Sequence, residues 1–347
     1  MFLETLCMKA VVFEQPGPAE VLKYVEVAEK SPGRGEAVVR VHAAGMNRID
    51  IWIRSGVYKV PLPRIIGAEA AGVVEEVGED VANVSKGDSV VVNPAVTCGR
   101  CRFCIKGFDS LCENHRLLGL GADGTYAEKI VVPASNLYPI PNGLEMYEAA
   151  SIMVTYMTVW HAAVTRAGIT PGSTVLVVGA GSGVGVAAIQ LCKLFGATII
   201  TTVGEDWKAE KAYKLGADYV VNRKKRKVSE TVNEITKGLG VDMVIDHAGQ
   251  AIWDETVKSL SPGGKLVFLG ATTGENASVN IRYAYRRQLS LLGCYGWNKQ
   301  EIPTVLQLFE KKLLKPVVDR TFPLKNAVEA HRLMESDSFF GKLVLIP

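Results

Sequence analysis

A strand, a glycine-rich turn and a helix follow one another at residues 175–195, and this order constrains the fold more than any other feature. Val175-Leu-Val-Val is wholly apolar, Gly179-Ala-Gly-Ser-Gly-Val-Gly185 supplies the turn, and an apolar-periodic helix is predicted from about Val184 to Phe195. Helical segments separate most of the further predicted strands, which are Thr198–Val203, Asp218–Val221, Asp242–Asp246, Lys265–Leu269 and Ser290–Gly293. Strands that alternate with helices predict an α/β fold in which a parallel sheet is covered on both faces.

The glycine-rich turn is expected to bind the pyrophosphate of a dinucleotide. Free backbone N–H groups and the helix dipole attract an anion there, and residues without bulk let a phosphate approach the backbone. The strict G-x-G-x-x-G spacing is absent, but small residues occupy its positions. A plain structural turn is the alternative, and the surrounding strand–helix alternation favours the binding site. The predicted binding residues are Gly179, Ala180, Gly181, Ser182, Gly183, Val184 and Gly185.

The second strand lacks the acidic residue that commonly binds the ribose 2′-hydroxyl in NAD sites. Val203 lies near the expected position, and Lys208 and the basic run Arg223–Lys227 could attract a 2′-phosphate. These features predict NADP(H), with NAD(H) as the alternative. Glu205 and Asp206 oppose this prediction, and a basic run by itself is typical of a solvated surface. The further predicted cofactor-binding residues are Lys208, Arg223, His247 and Gly270.

The first part of the chain is predicted to be β-rich. Its short valine-rich segments are separated by turn signals, and they are Lys9–Phe13, Val21–Val27, Ala37–His42, Gly72–Val77 and Ser89–Asn93. The tail returns to helix and strand, and 347 residues exceed what one core usually serves. We therefore predict a β-rich domain at 1–155, completed by 296–347, and an inserted α/β domain at 156–295.

Charge and hydropathy exclude several classes of protein. A formal net charge of +3 is too small for a typical nucleic-acid binder. The apolar stretch Ala149–Thr165 contains polar residues and falls short of a bilayer span, so a buried helix is predicted. Met1 to Cys7 contain no basic residue and are too short for a signal peptide. A cytoplasmic location and a small-molecule partner are expected, with neither nucleic acid nor membrane.

Four of the seven cysteines lie within fifteen residues, at Cys98, Cys101, Cys104 and Cys112. Four thiolates suit a closed tetrahedral zinc site that stabilises a loop of about 94–115 and leaves no position for substrate. A redox Cys-x-x-Cys motif normally holds two cysteines. An iron–sulfur cluster remains an alternative. The spacing predicts one structural Zn²⁺ per chain.

In combination these features resemble the medium-chain dehydrogenase/reductase superfamily, of the zinc-containing alcohol dehydrogenase and quinone reductase type. The resemblance covers nearly the whole chain from Met8, and the residues before it look like an extra leader or an upstream start codon. Besides the cysteines and the glycine-rich turn, the motifs that carry it are Ala43-Ala-Gly-Met-Asn-Arg-Ile-Asp50, Gly67-Ala-Glu-Ala-Ala-Gly72 and Gly124-Thr-Tyr-Ala-Glu128. It implies a GroES-like catalytic domain, a Rossmann coenzyme domain and a cleft between them.

The sequence departs from this family at the catalytic metal. Zinc alcohol dehydrogenases hold a catalytic zinc on a cysteine, a histidine and a third cysteine or acid, and the matching positions here are Asn47, Ala68 and Val154. None of these side chains is a credible zinc ligand. Glu69 remains nearby, but one carboxylate does not hold a zinc. The resemblance therefore implies a protein without catalytic zinc.

Two segments instead look like the zinc-free quinone reductases of the family. Asn47–Gly56 is one, with Trp52 at the position of the histidine that often relays the alcohol proton. Thr202–Lys208 is the other, and it places Lys208 on the 2′-phosphate of NADPH. Those reductases commonly lack the four-cysteine lobe, so the sequence combines features of both branches and the family alone does not decide the substrate.

Without a catalytic zinc, the substrate is expected to delocalise the negative charge that hydride brings. A Lewis-acid zinc contributes several kcal/mol of oxyanion stabilisation, and each ~1.4 kcal/mol is tenfold in rate. Quinones and α,β-unsaturated ketones spread the charge over a conjugated system, and activated or bulky ketones are an intermediate case. The sequence therefore predicts NADPH-dependent reduction of a quinone, an enone or a bulky ketone.

The candidate catalytic residues come from the same segments. Asn47 is the first candidate to donate a hydrogen bond to the substrate oxygen, and Tyr58 and Tyr156 are further candidate donors. Asp50 is expected to orient Asn47 or its loop. Arg48 matches a family position near the pyrophosphate, and the alternative for it is a surface ion pair. Packing is the alternative for Tyr156, and pinning of a loop is the alternative for Asn47.

Two other functions remain open. One is a zinc alcohol dehydrogenase with unorthodox ligands, which would carry two zinc ions per chain. The other is an NADPH-binding protein without turnover. A homodimer or homotetramer is expected, because sheet edges of Rossmann domains in this family commonly pair across a two-fold axis.

Overall fold

The computed structural model describes residues 6–347. The predicted leader therefore lies, for residues 1–5, outside the described residues. Two compact units form the chain: residues up to Val154 together with Leu306–Pro347, and Thr155–Val305. In the described part of the chain, no helix is both long and apolar enough to cross a membrane.

The strands follow the valine-rich and apolar segments of the sequence. In chain order they are β1 (Cys7–Phe13), β2 (Lys23–Ala28), β3 (Glu36–Gly45), β4 (Arg64–Ile65), β5 (Glu69–Val77), β6 (Ser89–Val92), β7 (Ala95–Val96), β8 (Arg116–Leu117), β9 (Lys129–Pro133), β10 (Leu137–Pro139), β11 (Thr174–Val177), β12 (Thr198–Val203), β13 (Tyr219–Asn222), β14 (Val241–Asp246), β15 (Leu260–Phe268), β16 (Ser290–Gly293), β17 (Val318–Pro323) and β18 (Lys342–Ile346).

The helices are concentrated in the second unit and the tail. They are α1 (Arg48–Arg54), α2 (Arg102–Ile105), α3 (Met146–Ala149), α4 (Met153–Trp160), α5 (Gly183–Leu194), α6 (Trp207–Lys214), α7 (Val228–Ile235), α8 (Trp253–Lys258), α9 (Ile281–Arg286), α10 (Ile302–Glu310) and α11 (Ala327–Glu335). The buried helix predicted within Ala149–Thr165 begins later than that stretch, at Met153. α3 ends at Ala149, and α4 passes into a π-helical turn at His161–Arg166.

The first unit is built on sheets that are antiparallel except for one parallel pair, β17 with β18. Its largest sheet has seven strands in the order β10-β6-β5-β3-β18-β17, with β9 also paired to β3. β1 lies between β2 and β4 in a second sheet, and β7 pairs with β8 in a third. Alternation along β3 and β5 turns small and branched apolar side chains toward one core, and β18 joins that core from the tail. This unit has the predicted β-rich, GroES-like architecture.

The second unit is a six-stranded, wholly parallel sheet in the order β13-β12-β11-β14-β15-β16. β12 and β13 are added on one side of β11, and β14, β15 and β16 are added on its other side, so the order of the strands reverses between β11 and β14, as in a Rossmann fold. Its strands are apolar on both faces, because helices cover a parallel sheet on both sides. The predicted α/β fold class is confirmed.

The return to the first unit occurs later than the sequence analysis placed it. Residues 296–305 were assigned to the first domain, but their contacts place them in the second unit. The carboxylate of Glu301 is buried there, 2.8 Å from His161 Nδ1 and 2.7 Å from Thr165 Oγ1. Burying a carboxylate requires such polar partners, and these partners anchor the segment to the π-helical turn.

Candidate active site

Asn47 and Asp50 lie where β3 gives way to α1. The backbone N–H of Asn47 donates to Asp50 Oδ2 over 2.8 Å, which caps the helix, and the Tyr126 hydroxyl donates to the same oxygen over 3.0 Å. Complete burial raises the pKa of Asp50 to about 7, although these hydrogen bonds act to lower it. The Asp50 carboxylate thus binds the backbone of Asn47 and caps the N-terminus of α1.

A buried lysine that the sequence analysis did not single out contacts Asn47. The Nζ atom of Lys342 lies 2.7 Å from Asn47 Oδ1, 2.6 Å from the Met46 carbonyl oxygen and 2.5 Å from Glu69 Oε1. Lys342 is 4% exposed and Glu69 is 0% exposed. The sequence contained one sign of this buried lysine: a charged residue begins the otherwise apolar strand Lys342–Ile346.

The positions that match the catalytic-zinc ligands of the family do not fit a metal. Asn47 offers an amide, and Ala68 and Val154 offer no ligand atom. Glu69 is already engaged, since Oε1 contacts Lys342 and Oε2 accepts from the Val154 backbone N–H over 2.6 Å. The Glu69 carboxylate beside these positions is therefore paired with a lysine ammonium.

The other predicted catalytic and pyrophosphate residues each have contacts of their own. Tyr58 is half-exposed, and its ring centroid lies 6.3 Å from that of Trp52. Tyr156 belongs to the second unit, where its buried hydroxyl oxygen accepts from Gln190 Nε2 over 2.9 Å. Burial raises the pKa of the Tyr156 phenol. Arg48 forms a close ion pair with Asp337, which is the surface pair named as its alternative.

Tyr156 was predicted as a candidate hydrogen-bond donor to substrate, with packing as its alternative, and in the structure it is buried with a polar partner in its own unit. The hydroxyl is turned toward Gln190, which lies on α5 of the second unit. The reason is local: α4 packs its apolar face into the core and a buried phenol requires a polar partner. Asn47 and Tyr58 remain the candidate donors of the first unit.

The glycine-rich turn is shaped by close approaches of backbone. A Cβ at Gly185 would lie 2.1 Å from the Gly179 carbonyl oxygen, so a side chain there would force α5 away from β11. Gly179 has φ +74°, which glycine adopts without strain. The Ser182 hydroxyl accepts from the Gly185 N–H over 2.8 Å and caps the helix. Ala180 is buried, and the turn continues through Gly181, Gly183 and Val184.

Residues from the neighbouring strand ends gather at this turn. His247 follows β14, and its Nε2 lies 2.9 Å from Ser182 Oγ. Gly270 follows β15, where a Cβ would lie 2.7 Å from the His247 carbonyl oxygen. The turn therefore lies at the carboxyl ends of β11 and β14, which is where Rossmann sheets hold a dinucleotide. The small residues and the capped helix of this edge fit a nicotinamide cofactor.

Two of the predicted phosphate-binding cations lie at the ends of β12 and β13. The Lys208 side chain extends beside the glycine-rich turn, where a Cβ at Gly181 would lie 2.8 Å from Lys208 Cδ. Arg223 Nη2 would lie 3.3 Å from a Cβ at Gly204. Two further cations of the run pair with the two acids that opposed the NADP(H) prediction: Lys224 contacts Glu205 and Lys225 contacts Asp206.

The four cysteines of the lobe converge on one point. Their sulfur atoms all lie within 4.8 Å of one another, with Cys101 and Cys104 3.6 Å apart and Cys98 and Cys112 3.5 Å apart. Sulfur atoms around a tetrahedral zinc are separated by roughly 3.8 Å, given Zn–S bonds of about 2.3 Å. The backbone N–H groups of Arg100 and Cys101 lower the pKa of the Cys98 thiol to about 6, which favours the thiolate that a metal requires.

This sulfur cluster fits a structural zinc. Within residues 6–347 it is the group of three or more potential ligands whose atoms lie close enough to hold a metal ion. All four thiols are free of disulfides. Four protein ligands complete a tetrahedral shell, so a zinc held here has no position for substrate.

Comparison with known proteins identifies the family. The family model described as alcohol dehydrogenase GroES-like domain matches residues 33–142, and the model described as zinc-binding dehydrogenase matches residues 183–311. An NAD-dependent alcohol dehydrogenase of Saccharolobus solfataricus is 33% identical over 98% of this chain and 100% of its own. The chain belongs to the medium-chain dehydrogenase/reductase superfamily. It is an NAD(P)-dependent oxidoreductase of that family, and the sequence-based family prediction is confirmed.

Two further relatives show the range of this family. The acryloyl-coenzyme A reductase of Sulfurisphaera tokodaii is 32% identical over 98% of this chain and 100% of its own. A crystal structure described as an NAD-dependent alcohol dehydrogenase is 42% identical, with a TM-score of 0.95, and the match covers 98% of this chain and 100% of the other. The relatives thus include proteins named for alcohol oxidation and for reduction of a conjugated thioester.

Proposed function

We propose that this protein uses NAD(P)H, with preference for NADPH, to reduce a conjugated carbonyl compound without a catalytic metal. The substrate class comprises quinones and α,β-unsaturated carbonyl compounds, with bulky or activated ketones as poorer members. The observation that carries the proposal is the replacement of the family's metal-ligand positions by Asn47, Ala68 and Val154, together with the Lys342–Glu69 ion pair beside them.

The chemistry of these residues favours a conjugated substrate. A bound nicotinamide cofactor supplies hydride, and the negative charge then develops on the substrate oxygen. A neutral amide N–H stabilises an oxyanion less strongly than a metal ion does. Conjugation spreads the charge and lowers the demand on that donor. The similarity to a relative named acryloyl-coenzyme A reductase supports the same class of reaction.

We assign the donor role to Asn47. Its side chain is 8% exposed, and Oδ1 is held by Lys342 at 2.7 Å, so Nδ2 carries the donors of this amide. Within the described residues, Nδ2 makes one long contact, 3.4 Å to the Gly45 carbonyl oxygen. Asp50 Oδ2 accepts the backbone N–H of Asn47 and so fixes the backbone at this residue. Tyr58 is the second donor candidate of the same unit.

The product formed from a cyclic enone tests the proposal. With NADPH and 2-cyclohexenone we expect the saturated ketone, because hydride addition to the β-carbon delocalises the charge. Product identity is determined by gas chromatography with mass detection. Formation of the allylic alcohol instead, or turnover that requires a second zinc per chain, would contradict the proposal and favour the alcohol dehydrogenase alternative. Cofactor binding without turnover of any enone, quinone or ketone would favour a non-catalytic protein.

The NADPH preference predicts a specific response to two substitutions. Lys208→Ala and Arg223→Ala should each raise KM for NADPH about tenfold, because a charge-assisted contact to a phosphate contributes roughly 1.5–3 kcal/mol. KM for NADH should change less than about twofold, since NADH lacks the 2′-phosphate. Lys227→Ala is the matched control: this lysine belongs to the same basic run but pairs with Glu230, and its loss should leave both constants unchanged. Equal effects on NADH and NADPH would reject the assignment.

A further inference from the structure

Three chain segments meet at the Asn47 amide, and they are held there by sheet register. Gly45, at the end of β3, pairs with Glu69 of β5 on one side and with Val344 of β18 on the other. A Cβ at Gly45 would lie 2.1 Å from the Ala150 carbonyl oxygen and 2.6 Å from Glu69 Oε1, so the lack of a side chain leaves room for both oxygens beside the strand. The register therefore brings the Glu69 carboxylate and the Lys342 ammonium together beside residue 47.

The ammonium of Lys342 makes two hydrogen bonds and one ion pair. It donates to the Met46 carbonyl oxygen at 2.6 Å and to Asn47 Oδ1 at 2.7 Å, and it lies 2.5 Å from Glu69 Oε1. An ammonium group only donates hydrogen bonds, so the Asn47 atom that faces it must be the amide oxygen. The other oxygen of the Glu69 carboxylate accepts from the Val154 N–H, which holds the ion-pair partner of Lys342 in place.

We propose that Lys342 is a positioning residue that fixes the orientation of the Asn47 carboxamide, so that Nδ2, and not Oδ1, is presented to the substrate oxygen. The inference rests on the proposed function, in which Asn47 donates to that oxygen. A flipped amide would present a lone pair to the developing negative charge. The contact with Lys342 excludes the flip, because the flipped amide would place the Nδ2 donor against the ammonium, which is also a donor. The charge on Lys342 also polarises the amide and makes Nδ2 a stronger donor.

Lys342→Met tests this role, since methionine keeps the length of the side chain and removes the donors. We expect kcat per NADPH-binding site to fall about 10- to 100-fold, the size of effect that misplacing a catalytic group produces. KM for NADPH should not change. Lys342→Arg restores a charged donor and should recover most of the loss. Counting NADPH-binding sites restricts the comparison to folded protein.

The decisive readout is the coupling between Lys342 and Asn47. If Lys342 acts through the amide, Lys342→Met should change kcat less than about twofold in an Asn47→Ala protein, because there is no carboxamide left to orient. Loss of the same factor in both backgrounds, or full activity of Lys342→Met, would overturn the proposal. If Asn47→Ala alone retains full turnover, it is the donor role of Asn47 that fails, which is a separate result.

Removing Lys342 alone leaves the Glu69 carboxylate buried without its cation, which can prevent folding. If the Lys342→Met protein does not bind NADPH, the pair Glu69→Gln/Lys342→Met replaces it, with the parental protein as its reference. This pair leaves no buried charge unpaired, and the same loss of kcat and the same coupling to Asn47 are expected. Should the pair also fail to bind NADPH, Lys342 is required for folding and the positioning role is rejected.

Discussion

Asn47→Ala is expected to lower kcat for enone reduction by about 10²–10³-fold, the cost of removing one donor to a developing oxyanion. The expected loss is large because Asn47 is the assigned donor, and a substrate with a conjugated system still requires one. KM for NADPH should remain within about twofold, since the glycine-rich turn and its cations lie in the other unit. Steady-state kinetics with 2-cyclohexenone, together with NADPH titration, measure both quantities.

Asn47→Asp is the matched control for this experiment. Aspartate is isosteric, can still pair with Lys342 through a carboxylate oxygen and keeps the backbone cap to Asp50, but it has no N–H to donate. It should therefore lose as much turnover as Asn47→Ala. Retention of kcat by Asn47→Asp would mean that the amide N–H is not the donor, and attention would pass to Tyr58.

The zinc content is expected to be one ion per chain, and Cys112→Ser is expected to abolish it. Structural zinc sites contribute folding free energy directly, on the order of 10 kcal/mol in small zinc domains. In this larger chain we expect a fall in melting temperature on the order of 10 °C, from the loss of several kcal/mol. Inductively coupled plasma mass spectrometry and thermal unfolding measure the two effects.

Cys7→Ser provides the comparison for the zinc experiment. Cys7 is exposed and is not part of the sulfur cluster, so this variant should keep one zinc and the parental melting temperature. Two zinc ions per parental chain, one of them retained by Cys112→Ser and required for turnover, would contradict the metal-free mechanism. That result would establish the zinc alcohol dehydrogenase alternative.

The features that could be predicted from sequence are those whose residues lie close together in the chain. The turn Gly179–Gly185 adjoins the strand and helix that present it, and the four cysteines lie within fifteen residues. Strand periodicity placed β12 and β16 at their observed bounds. The apolar stretch Ala149–Thr165 did not give the bounds of its helix, which begins at Met153 and passes into a π-helical turn at His161.

Charge pairing within the second unit could not be predicted from the order of the residues. In the sequence, the negative charges of Glu205 and Asp206 argue against binding of a 2′-phosphate. In the structure, Lys224 and Lys225 of the next strand end contact these two carboxylates and neutralise them. Parallel strands bring their carboxyl ends to one edge, so residues from successive loops become neighbours there.

The sequence by itself determined the fold class, the family, the sulfur cluster and the absence of metal ligands at the family's catalytic positions, because each depends on residue identity at short spacing or on alignment to a known pattern. Only the tertiary structure decided which side chain contacts the Asn47 amide. Lys342 is 295 residues away in the chain and reaches Asn47 because β18 pairs with β3. A hydrogen bond between strands so distant in sequence depends on sheet register, and register is set by the packing of the whole core.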